Sequence, residues 1–166
     1  MNALWSYFWP AFAMGLLIGV LTGMFAFRRR VKRVALLASG SLFAIAAATL
    51  WHGPLGAADR FTAGVERIAR QALVDYDAPA GITAGLHHGP LTRELILSGP
   101  ANDFQRAEAA RLLGQIPGVS RAVWTSRVGV PLIGEGGAVA VAGFLLGLLL
   151  AYLVELRRRY NAQWNW

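Results

Sequence analysis

No cysteine occurs in the 166 residues of the chain. That absence excludes disulfides, thiol nucleophiles and thiolate metal sites together, and it leaves the redox compartment open. Charge is scarce as well: 15% charged residues against 55% hydrophobic ones describe a chain too apolar for a soluble domain of this size. Such a composition points to a membrane protein. A glycine-rich nucleophile elbow, a phosphate loop and a metal-spaced cluster are also missing, so no catalytic residue, cofactor or metal is expected. His87 and His88 are the one paired-ligand candidate. Neighbours at a strand end point to opposite sides, so a turn role is expected of them.

The formal charge of +7 resembles a nucleic-acid footprint until the charges are placed. Between Ala57 and Val130 eight bases meet seven acids and leave +1. The surplus lies in Arg28, Arg29, Arg30, Lys32 and Arg33, and in Arg157, Arg158 and Arg159, all flanking apolar runs. The basicity is therefore a topology signal, and no nucleic-acid partner is expected.

Three apolar runs follow. The first, Leu4 to Phe27, carries no acid or base, and about 20 residues at 1.5 Å each cross the hydrocarbon core. A cleaved leader opens on positive charge and closes on small residues; here an arginine cluster closes the run, so a retained helix is expected. Trp5, Tyr7 and Trp9 read as an interfacial aromatic belt, with Pro10 early enough to be tolerated. The second run, Val34 to Trp51, is near the lower limit for a span and suits a hairpin partner of the first. Gly53-Pro54 stops it. The third extends from about Gly136 to Leu156, with Glu155 one turn from the arginines that close it. No ionisable residue falls at mid-depth in any run, which argues against a transporter.

The positive-inside rule places the loop 28–33 and the Arg157 to Arg159 tail on the cytoplasmic side. With three spans the amino terminus and the segment 57–130 then lie outside and the carboxyl terminus inside. Tyr160, Trp164 and Trp166 then lie against the inner leaflet as interfacial anchors, or against a partner. Small residues recur at helical spacing in each span: Gly15, Gly19 and Gly23; Gly40, Ala44 and Ala48; Gly143, Gly147 and Ala151. Small residues four apart let helix backbones approach closely, so the spans are expected to pack on one another or on foreign helices.

The outside segment reads as a helix from Asp59 to Asp75, with Phe61, Val65, Ile68, Ala72 and Leu73 as its apolar stripe and Glu66 pairing with Arg70. A half-buried strand around Ile82, Ala84 and Leu86 follows, then a turn at His87-His88-Gly89-Pro90 and a second strand from Thr92 to Ser98. Asn102 with Gln105 has capping-box spacing, and the helix it opens carries Ala109, Leu112, Leu113 and Ile116. Pro117-Gly118 stops that helix, and Val119 to about Val128 forms a third strand. The sum is a small α+β module, α-β-β-α-β, with two helices on one face of a three-stranded sheet.

The stretch LILSGPANDFQRAEAARLLGQIPGVSRAV closely resembles the BON domain, named for bacterial osmotically induced and nodulation proteins. The strand ending in Leu97-Ser98-Gly99, Arg106 and Ala109 in the next helix, and the exit Ile116-Pro117-Gly118-Val119 carry the likeness, which covers roughly Asp59 to Val128. The His87-His88-Gly89-Pro90 turn departs from it, since a simpler glycine turn is the family pattern. The resemblance implies a non-catalytic bacterial envelope module that binds phospholipid or protein, with Gly99 and Gly118 as structural positions. The fold expected is thus three transmembrane α-helices with a BON-like extracytoplasmic domain between the second and third. Its parts are a hairpin over 1–56, the module over 57–130, and the third span and tail over 131–166.

Linkers of about seven residues on each side give a reach of roughly 25 Å, so the module should stay near the membrane surface. Two roles follow for this multi-pass inner-membrane protein. One is a periplasmic module that engages a partner protein or phospholipid; the other is an accessory subunit packing through its small-residue helix faces. Membrane lipids and either a membrane-protein partner or a second copy of the chain are the partners expected.

Overall fold

Among the described residues three helices are long and apolar enough to cross a membrane, which marks a membrane-associated protein: α1 (Ala3–Arg28), α2 (Arg33–His52) and α5 (Leu132–Gln163). Between α2 and α5 lie α3 (Ala57–Asp75), β1 (Thr83–His88), β2 (Leu91–Ser98), α4 (Asp103–Leu113) and β3 (Arg121–Val123). The computed structural model describes residues 3–28, 32–125 and 129–163. It divides into two compact units: an α/β unit made of residues up to Tyr7 with Gly56–Glu135, and a helical unit made of Phe8–Leu55 with the chain from Gly136 onward.

In the helical unit α1 and α5 run parallel with their glycines in contact. Gly15 lies against the Ala140 carbonyl and Gly19 against that of Phe144, while Gly143 and Gly147 meet the carbonyls of Phe12 and Leu16. Gly23 faces the methyl of Ala151, and Phe27 crosses Tyr152 edge to face at 5.6 Å. Lipid tails are as apolar as leucine, so burial alone does not hold such helices together. Close backbone approach supplies the dispersion contacts instead. Helix α2 buries Gly40, Ala44 and Ala48 and meets Thr22 of α1 through Gly40.

Helix α5 differs from the run read in the sequence. It begins at Leu132, four residues before Gly136, and continues through the arginines to Gln163, 32 residues or about 48 Å. Its first turn is closed by bonds from the Gly134 and Glu135 amides to the Pro131 carbonyl. The same turn is tied to the sheet by an ion pair of Glu135 with Arg93 at 3.1 Å. Tyr7 also departs from expectation. It is 2% exposed, 5.9 Å from Phe61, with its hydroxyl 3.5 Å from the Leu132 carbonyl. Tyr7 is a core residue of the α/β unit, and Trp5 and Trp9 are the exposed aromatics of that end.

The sheet of the α/β unit has the order β1-β2-β3, with β1 antiparallel and β3 parallel to β2. Strands β2 and β3 with α4 between them form a βαβ unit. Leu86, Leu95 and Leu97 form the sheet's side of the core, and Phe61, Val65, Ala69, Ala109, Leu113 and Ile116 come from the helices and the turn after α4. The buried stripe of α3 is Ala57, Phe61, Val65 and Ala69, spaced by four, so Ile68 is 37% exposed rather than inward. Glu66 turns to the sheet edge, where it accepts the Leu86 amide at 3.1 Å and lies 3.5 Å from His88. Strand β1 extends to His88, leaving Gly89-Pro90 as the turn. Helix α4 has both halves of its capping box: the Gln105 amide to Asn102 at 2.8 Å, and the Asn102 amide to Gln105 at 3.0 Å. The third strand spans only Arg121–Val123, because only Glu94, Leu95 and Ile96 offer it a register. Val119 precedes it, and residues 126–128, at the far end of the strand read from sequence, lie outside the described residues.

Gly99 ends β2 at φ 126, and a Cβ there would overlap the Gly81 carbonyl. Gly99→Ala combines a disallowed φ with a backbone clash and should destabilise the α/β unit by about 3 kcal/mol. Gly134→Ala, where a Cβ would meet nothing within 4 Å, is the control. Thermal melts of the detergent-solubilised full chain should separate the two.

Candidate functional site

A concavity of the α/β unit is formed where the end of α3 and the following loop face α4. It is an apolar groove of about 230 Å³ lined by Leu73, Tyr76, Pro79, Ile82, Phe104 and Leu112 among others. Two rim residues are large and outward: Tyr76 is 62% and Phe104 79% exposed. Each is held there by a helix end. Tyr76 closes α3, its amide bonded to the Ala72 carbonyl, and Phe104 sits just inside the Asn102 cap of α4. The loop between them passes through Asp77 at φ 50, a left-handed conformation that Asp tolerates better than most side chains.

The charges lining the groove are both acidic, Asp77 and Glu108. Glu108 is gripped by Arg111 through two bonds of 3.0 and 2.6 Å, which hold its carboxyl below the usual range. Arg106 lies 5.4 Å from the centre of the Trp124 ring, whose indole N–H donates to the Arg106 carbonyl at 3.0 Å. The groove thus offers apolar area with a carboxylate beside it. His87 Nδ1 is 3.0 Å from the Pro90 carbonyl while His88 faces Glu66. Among the described residues no three metal-ligating side chains gather.

The BON-motif residues are dispersed over the module rather than collected into a site. Leu97, Ala109 and Gly118 are buried, and Gly118 adopts φ 109 with its Cα side 3.3 Å from the Phe61 ring for any added Cβ. Ser98 pairs with Thr83 across the strands at 2.8 Å, and Pro117 and Val119 form the exit turn from α4. Of the basic residues, Arg29 and Arg30 lie outside the described residues. Arg28, Lys32 and Arg33 belong to the α1–α2 end of the helical unit, where Arg159 of α5 donates to the Phe27 carbonyl at 3.3 Å.

Sequence reasoning missed Tyr76 and Phe104, which look like ordinary stripe members until the helix ends are placed. It also missed the ion pair of Glu94 with Arg121, which links β2 to β3 beneath Gly129. No family model matches the chain, and neither a curated protein nor a solved structure matches it.

Proposed function

We propose that the chain is a non-catalytic inner-membrane protein that displays a BON-like periplasmic module and uses it to hold a partner protein at the membrane surface. The carrying observation is the groove between α3 and α4, with Tyr76 and Phe104 exposed on its rim and Asp77 in its lining. Large aromatics around a concave apolar patch are the usual anchors of protein recognition. An acidic lining with no base in it suits an apolar segment that carries a cation, and it repels the phosphate of an anionic lipid.

Support for the BON-like reading comes from the α-β-β-α-β order, the mixed sheet, and glycines at φ 126 and 109 where the Leu97-Ser98-Gly99 and Pro117-Gly118-Val119 signatures require turns. Only residues 53–56 separate α2 from α3, a covalent tether of no more than roughly 18 Å when fully extended. The sidedness, with amino terminus and module outside and carboxyl terminus in the cytoplasm, rests on the two basic clusters.

A second reading, an accessory subunit held through its helices, draws on a groove of about 460 Å³ between α1 and α2 lined by Leu21, Phe25, Phe43 and Leu50. The glycine faces of α1 and α5 are closed against each other, and this groove is a side left open to a foreign helix.

A photo-crosslinking side chain placed at Phe104 in the full chain, in native membranes, tests the first reading. It should form one discrete protein adduct that the same probe at exposed Arg67 does not. In a chain carrying the probe at Tyr76, Phe104→Glu should reduce that adduct tenfold or more without changing the melting temperature. Lipid adducts alone would overturn the protein-partner reading, and adducts only from probes at Phe43 would favour the accessory subunit.

A further inference from the structure

The net charge of this protein comes from two stretches of its sequence. Arg28 to Arg33 and Arg157 to Arg159 contribute eight bases with Glu155 as the lone acid, which accounts for the whole +7; elsewhere eight bases meet eight acids. The two clusters are far apart in sequence, yet α1 and α5 run parallel and bring Arg28, at the end of α1, beside the arginines of α5. Arg159 joins them physically, donating to Glu155 at 2.9 Å and to the Phe27 carbonyl at 3.3 Å, where its charge also caps the negative end of α1. Arg158 lies 4.0 Å from the same Glu155.

Next to this junction is a groove of about 550 Å³ whose lining includes Leu153, Leu156, Arg157, Arg159 and Tyr160. Leu149, Leu153, Leu156 and Tyr160 recur at three and four along α5, and each is between 49% and 60% exposed. One helix face therefore passes from an apolar ladder to a guanidinium and a phenol. Among the described residues no ion pair engages Arg157.

We infer that this face of α5 is a seat for an anionic phospholipid, its phosphate on Arg157 and the Tyr160 hydroxyl and an acyl chain along Leu156, Leu153 and Leu149. A free phosphate has no use for the leucine ladder, and a nucleic acid has no use for a single strip of helix that turns apolar within one turn. A lipid matches both halves at once. Charge-assisted bonds from a guanidinium fix the headgroup, and the surrounding bases raise its local concentration. The site does not depend on which side of the membrane this end faces, and it is independent of the groove on the α/β unit.

The test uses the full chain in nanodiscs of phosphatidylcholine, with spin-labelled phosphatidylglycerol or phosphatidylcholine as probe. Wild type should retain phosphatidylglycerol about fivefold more than phosphatidylcholine, the effect of one well-placed surface cation. Arg157→Gln with Tyr160→Phe should bring that ratio to near one. Arg33→Gln removes the same charge from the same end and should leave most of the preference. An equal fall in Arg33→Gln would overturn the site in favour of a diffuse basic surface, and no preference in wild type would overturn it outright. Displacement of the probe by millimolar inorganic phosphate would show an anion site without a lipid seat. Both substituted side chains are exposed, and unchanged melting of the variants verifies that the bundle persists.

Discussion

Gly19→Leu should separate α1 from α5. Even a Cβ at this position would overlap the Phe144 carbonyl, so leucine must push the helices apart along the whole contact, including the reciprocal approaches of Gly143 and Gly147 to α1. Overpacking a backbone contact of this kind costs about 3 kcal/mol or more, because rigid main chain has to move. The cysteine-free sequence gives a direct readout. Cysteines replacing Phe27 and Tyr152, whose rings are 5.6 Å apart, should be joined by a short bis-maleimide in the parent chain and much less in the Gly19→Leu variant. Gly137→Leu, which opens on nothing within 4 Å, should leave the reaction unchanged. If Gly19→Leu kept the crosslink but released a co-purifying membrane protein, the glycine face would belong to a foreign helix and the accessory-subunit reading would gain.

The three apolar runs were legible because length and charge exclusion are local properties. Their ends were not. The third run reads as starting at about Gly136, yet α5 starts at Leu132, since Pro131 opens the helix and the Arg93 ion pair fixes its first turn. Hydropathy ended the run at Leu156, whereas arginines are good helix formers and carry it to Gln163. Tyr7 was misplaced for a related reason. An aromatic near the start of an apolar helix looks the same whether it meets an interface or the ring of Phe61, and only the fold brings Phe61 there.

In the α/β unit the capping box at Asn102 and the turn at Gly99 were readable from a few adjacent residues. The stripe of α3 was blurred because Ile68 and Ala69 both fit a helical period, and only Ala69 points at the sheet. The groove was less legible still. It arises where two helix ends meet, and neither Tyr76 nor Phe104 carries a mark that separates an outward aromatic from a core one. Least visible was the pair of Glu94 with Arg121, which exists only because the parallel register of β2 and β3 sets those two residues opposite each other.

That pair supports the last expectation. The Glu94 side chain is 3% exposed, under Gly129 and beside Thr92, whereas Arg121 is 46% exposed and reaches in from the edge strand. Both bonding nitrogens of Arg121 converge on one oxygen of Glu94, and among the described residues the other oxygen has no hydrogen-bond partner. Arg121→Met therefore leaves a carboxylate enclosed without its counter-ion and should cost about 2–3 kcal/mol, below the usual range for a buried pair because water reaches the arginine side. Glu94→Gln should cost less, since the arginine it abandons is half in solvent. Glu94→Met with Arg121→Met should recover most of the loss, because two apolar side chains of similar length can fill the space without any desolvated charge. Hydrogen exchange of the β2 amides in the full chain would read the three variants locally. A loss in Arg121→Met no larger than that of an exposed ion pair, below about 1 kcal/mol, would mean that Glu94 reaches water in the working protein and that the segment from Gly129 to Pro131 does not stay closed over it.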